Sequence, residues 1–311
     1  MSETELACTE LGREIERLKD EGFRLDVIYP ADEPHTALLS RNGDLLRLTT
    51  RPGDSALPEE LAPFEPEFVL THAGASAGEG RAGMLYRDLV PSRLGGRYIA
   101  SHIMIPDGGP VSDWVHYHRI RFQMIYVRSG WVRVVYEGQG DPFVMQAGDL
   151  VLQPPEIRHR VLESSAGLEV VEVGCPALHA TMADHEMELP NAAADPDRDF
   201  SGQHFVRHVA ASTPWRPFAG GEAQETAIAE ATGGLADVRT VRAAGLPMAF
   251  APNDGELVFG FVLAGSARLE FHGSQAIGPA DAFVIPPDEA WSIVEASDDF
   301  RLLHVTTAAL A

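Results

Sequence analysis

The chain is poor in lysine, cysteine and positive charge, and it has no apolar run long enough to cross a bilayer. Lys19 is the only lysine, and the 24 basic residues face 46 acidic ones, which leaves a net charge of −22. A surface of that sign repels nucleic acid and anionic membranes, so neither is expected as a partner. Cys8 and Cys175 are too few for a disulfide framework. The N-terminus is acidic and has no basic region leading into an apolar stretch, so a cytoplasmic, reducing location is expected.

The 311 residues, 45% of them apolar, suffice for two domains of about 100–150 residues each. Leu6, Leu11, Ile15 and Leu18 have helical spacing, which predicts one amphipathic helix over 3–21 with Gly22 as its stop. Strands follow to Thr50, with a tight hairpin at Asn42-Gly43, and 51–66, rich in Pro and Glu, reads as a linker. From 84 to 174 short strands succeed one another with Gly or Pro in nearly every gap, the pattern of an all-β barrel. The segment 190–203 has no periodicity and marks the best domain boundary.

The pattern then repeats. Gly255 to Phe271 matches Arg121 to Tyr136 with Gly265 on Gly130, and Asp281 to Trp291 matches Asp149 to His159. Two copies of one architecture are expected. The boundaries read as 1–66 for the helix, strands and linker, 67–189 for the first barrel, 190–224 for a linker and 225–311 for the second barrel.

Chemistry concentrates in the first copy. His116 and His118 lie two apart on a predicted strand, so both rings point to one face and can grip a single ion. His159 and the side-chain oxygen of Gln123 complete four ligands if a barrel brings the two hairpins face to face. In the second copy Ala251, Asn253 and Val258 stand for His116, His118 and Gln123, and Trp291 stands for His159, so no ligand set survives. That copy is expected to be structural, for packing or for a homodimer, with a metal-free ligand pocket as the alternative.

His116, His118, Gln123 and Gly130, followed by Gly148, Pro154, Glu156, His159 and Glu163, keep the register of the two-part signature of the cupin superfamily, and the chain resembles a two-barrel cupin. Gln123 replaces the family's Glu, Glu156 a turn Gly, and Glu163 an Asn. The resemblance implies two tandem jelly-roll barrels behind a short N-terminal helix, with one divalent ion in the first. Fe(II) is favoured, then Zn(II), with Ni(II) or Cu(II) possible donor matches. It also implies an enzyme for a small molecule. A dioxygenase that takes an aromatic or enolic anion together with O2 comes first. A non-redox Lewis-acid cyclase, isomerase or lyase comes second, and a metal-stabilised binding module third.

Other residues are placed by strand parity. Ile125 and Val127 share the parity of Gln123 and are expected to wall the pocket; Trp114 shares that of His116, at the entrance or in the core. Arg121 lies in the irregular step after His118, where it could turn to the mouth and anchor substrate. His102, one strand earlier, is a candidate general base or a donor behind a ligand. Arg119, Arg158 and Arg160 fall on the outer face, where salt bridges are expected, and His179 and His185 fall on the surface.

Overall fold

The computed structural model describes residues 3–53, 60–74, 77–79, 84–191, 194–245 and 247–309; residues 54–59 of the expected linker lie outside them. Two β-barrels follow a small N-terminal unit. The first predicted element divides in two: Glu3–Ala7 is a strand and the helix is Leu11–Asp20. Leu11, Ile15 and Leu18 form the buried stripe of that helix. Leu6 lies five residues earlier, about 140° around a helix from Leu11, so helical continuation would not bury it. It is exposed on a strand that pairs in parallel with Asp44–Thr49. The Asn42-Gly43 hairpin forms as expected, and both residues have positive φ, 52° and 92°, the geometry that matches strand twist in a two-residue turn.

The front barrel has two sheets. In one, His116–His118 lies between Thr181–Ala183 and His159–Ser164, and Trp131–Tyr136 follows. In the other, Phe122–Ser129 lies between Leu150–Leu152 and Leu168–Cys175, and Ile99–Ile105 comes next. Side-chain alternation divides this second sheet sharply. Ile103, Ile105, Gln123, Ile125, Val170 and Glu172 face the barrel interior, while Ala100, Met124, Tyr126, Val171 and Val173 join a core shared with Phe259, Phe261, Leu303 and Val305 of the rear barrel. The two barrels are therefore packed sheet against sheet.

Each barrel also receives a strand from outside its expected span. Val206–His208, placed by sequence in the linker, pairs with Leu150–Leu152 of the front barrel. Val69–Thr71, placed with the front barrel, pairs with Ala282–Val284 of the rear one. The exchange is symmetric in its details. Asp149 accepts from the backbone N–H groups of Gln146 and Ala210 at 2.9 and 3.0 Å, and Asp281 accepts from those of Gly278 and Ala73 at 2.9 and 2.8 Å.

The rear barrel is filled by side chains. Phe250 stacks on Trp291 with ring centroids 3.8 Å apart and planes 3° from parallel, and Phe283 and His304 pack around the same indole. The pairing also corrects the register of the repeat by one residue. Phe250 pairs with Trp291 as His116 pairs with His159, so Phe250, not Ala251, is the counterpart of His116. Asn253 keeps the place of His118: its carbonyl accepts from Asp288 N–H as that of His118 does from Glu156.

Candidate metal centre

His116 and His118 project inward from one strand, and His159 is brought beside them by the antiparallel pair His116 with His159. The three rings offer nitrogen atoms that all lie within 4.8 Å of one another, and all three residues are buried. Ring centroids are 4.2 Å apart for His116 and His159, 5.3 Å for His116 and His118, and 5.4 Å for His118 and His159.

The outer nitrogen of each ring is already engaged. Nδ1 lies 2.7 Å from the Trp114 carbonyl in His116, 3.0 Å from that of Ala180 in His118, and 3.0 Å from that of Ile157 in His159. A carbonyl oxygen only accepts, so each Nδ1 carries the proton and donates it. Nε2 is then the lone-pair nitrogen in all three rings, as metal-binding imidazoles require. Burial pushes protonation of His118 well below the ordinary imidazole range, and His179, His116 and His159 add to the effect. The ring therefore stays a neutral donor.

Gln123 lines the same cavity and donates through Nε2 to Glu172. The Glu172 oxygen accepts this hydrogen bond, so the amide NH2 faces Glu172 and the carbonyl Oε1 faces away. That Oε1 is buried and has no partner. Three convergent neutral nitrogens and one orphaned amide oxygen are a fitting donor set for one divalent ion. Glu172 was missed in the sequence, although it has the parity of Leu168 and Val170 on an otherwise apolar strand face.

Above the histidines is a cavity of about 110 Å³. Ile103, Ile105, Ile125, Val132, Val134, Met145 and Leu168 form most of its wall. Ile125 is among them; Val127 is fully buried in the core of the same barrel and is not on the cavity wall. Tyr136 contributes a hydroxyl, which accepts from Gln153 Nε2 at 3.0 Å, while its ring stacks on His159. Burial pushes its pKa up, so the phenol keeps its proton.

Several placements need correction. Trp114 does not line the cavity: it packs edge-on against His116 and onto the core under the N-terminal helix. Arg121 is exposed and absent from the cavity wall; its backbone is held at the start of the strand Phe122–Ser129, where its N–H donates to the Cys175 carbonyl and its own carbonyl accepts from Gln203. His102 faces the opposite side of its strand from Ile103 and Ile105. There it meets Glu169 at 2.7 Å, Arg87 at 3.2 Å and the Phe261 ring, between the barrels. His179 is buried, with its ring edge against His118. Arg119 and Arg158 form the expected salt bridges, to Glu156 and Asp184. Arg160 instead borders the cavity, and its Nε is buried without a partner.

Residues 101–174 match the family model Cupin_2, the cupin domain, and this segment holds His116, His118, Gln123 and His159. The whole fold is similar to that of protein Ylba from E. coli, with 11% identity, a TM-score of 0.59, and coverage of 80% of this chain and 95% of that one. It is also similar to oxalate decarboxylase from Bacillus subtilis, with 9% identity, a TM-score of 0.55, and coverage of 85% and 80%. At such identities the likeness shows the fold alone. No curated protein sequence matches the chain. Residues 101–174 thus carry a cupin domain within a two-barrel fold similar to those structures, and a histidine cluster fit for a metal lies in the front barrel.

Proposed function

We propose that the front barrel is a mononuclear metal enzyme, a dioxygenase for a small aromatic or enolic substrate that binds as an anion. The observation that supports this reading is the convergence of three imidazole nitrogens beneath a largely apolar cavity. His116, His118 and His159 would hold the ion through Nε2 and Gln123 through its amide oxygen, with Fe(II) the first choice. A bound divalent ion would supply Lewis acidity to acidify a phenol or enol, and iron would add electron transfer to dioxygen.

The chain's own residues do the rest. The Ile, Val, Met and Leu walls exclude water and take up the substrate's apolar body. A cavity of this size is of the order of one that accepts a single ring, about 150 Å³ for benzene. Tyr136 can donate its phenolic proton toward a substrate oxygen while Gln153 holds the hydroxyl in place. Among the described residues the wall carries one Arg, Arg160, and one carboxylate, Glu172, so the positive charge that favours an anion would come mainly from the ion. The apolar wall argues against a substrate made only of carboxylates, despite the shared fold with oxalate decarboxylase.

The test is oxygen uptake by purified, Fe(II)-loaded protein against a panel of small phenols and enolic diketones. The expected result is substrate-dependent consumption of O2 that disappears in His118→Ala. Turnover that continues unchanged without oxygen would contradict the dioxygenase reading. It would favour the Lewis-acid alternative, for which the Tyr136 phenol beside the histidines is a placed hydrogen-bond donor.

A further inference from the structure

We propose that Gln123 and Glu172 together do the work of one ligand carboxylate: the Gln123 amide oxygen takes the fourth ligand position, and Glu172 holds the amide and carries the negative charge. This inference rests on the metal reading above.

Three facts carry it. First, Gln123 Nε2 is engaged by Glu172 while Oε1 is buried and unpartnered. Leaving a buried acceptor unsatisfied is costly, and a cation at that oxygen would remove the cost. Second, the sheet is built for this contact. Gln123 lies opposite Gly174, which has no side chain, and Glu172 lies opposite Ile125, so Gln123 leans along the diagonal to reach it. Third, Glu172 does not itself join the ligand cluster. Among the described histidines, cysteines and carboxylates, the one group of three or more whose ligand atoms all lie within 4.8 Å of one another is His116, His118 and His159. The carboxylate is held one step back and reaches the centre through the amide.

The electrostatic consequence reverses what the Gln alone implies. Three imidazoles and an amide leave both charges of a divalent ion uncompensated, but Glu172 returns one negative charge to the cavity. An ionised acceptor on the amide NH2 also polarises the amide and makes Oε1 a better donor. Glu172 is thus a positioning residue for the ion.

Cobalt(II) affinity tests this, measured on metal-free full-length protein by competition with a chromophoric chelator. Glu172→Gln should weaken binding by about 10- to 100-fold, the usual effect of losing a ligand's supporting partner. Gln123→Glu should also weaken it, since two carboxylates would then meet across the hydrogen bond. The double exchange, Gln123→Glu with Glu172→Gln, restores one carboxylate and one amide in reversed order and should recover most of the loss. Gln123→Leu should alter the cobalt visible spectrum, a readout that a purely structural role would leave alone. Affinity unchanged in Glu172→Gln, a double exchange no better than either single variant, or a spectrum unmoved by Gln123→Leu would overturn this inference alone. Wild-type protein that takes up no cobalt would overturn the metal reading and this inference with it.

Discussion

His116, His118 and His159 show what single residues disclose in a sequence and what they hide. Two histidines on one strand face are legible as a pincer because parity is a local property. The carbonyls that fix their tautomers, those of Trp114, Ala180 and Ile157, belong to backbone whose position only the fold sets. Glu172 was hidden for the same reason: its partner Gln123 is 49 residues away. His304 makes a prediction at this scale. Burial among Phe218, Phe250 and Trp291 pushes its pKa down from 6.5 to about 4. Between those values the unfolded chain binds a proton that the folded chain refuses, so stability falls as pH drops through the window. Its share of the loss from pH 7 to pH 5 is about 2 kcal/mol. Denaturant unfolding at the two pH values should show His304→Leu losing less stability than wild type by roughly that amount. Equal losses in the two proteins would show that His304 is not the proton-sensitive group.

At the scale of elements, the repeat was legible because hairpins need the same residues at the same places. Gly130 and Gly265 close equivalent turns with φ of 77° and 71°. A Cβ on Gly265 would lie 2.6 Å from Phe300 Cα, and one on Gly130 would lie 3.3 Å from Leu168 Cα and closer still to Ser165 Oγ. Gly265→Ala should therefore cost at least about 1–3 kcal/mol, typical of a strained left-handed residue, and more than Gly130→Ala, where the one contact under 3 Å is a serine side chain and not backbone. Thermal denaturation of the two variants checks the order. The helix start was misread because Leu6 extends an apolar spacing that the backbone does not follow. The one-residue shift that puts Phe250 on Trp291 could not be read from the sequence, since an extra residue between matched strands leaves the flanking motifs intact.

For the whole molecule, the strand exchange ties the two barrels together, and a buried ion pair reinforces the joint. Arg97 holds Glu256 of the rear barrel with two hydrogen bonds, 2.9 and 2.7 Å, and Tyr98 reaches both Glu256 and Thr307. Arg97→Ala would leave the Glu256 carboxylate buried and unpaired, a change that costs about 3–5 kcal/mol. Calorimetry should show wild type unfolding in one transition at a temperature well above that of Arg97→Ala. A variant that melts with wild type would mean that the pair contributes nothing to the joint. None of this was legible in the sequence, where 190–224 reads as a linker and the exchanged strands, Val206–His208 and Val69–Thr71, are three residues each. The division of labour between barrels was legible, because aromatic and aliphatic residues stand in the rear copy where ligands stand in the front one.

Elemental analysis of purified protein, compared with His118→Ala and with His304→Leu, tests that division most directly. The result predicted is one transition-metal ion per chain in wild type and in the rear-barrel variant, and none in the front-barrel one. Metal content unchanged by His118→Ala, or lost with His304→Leu, would contradict it.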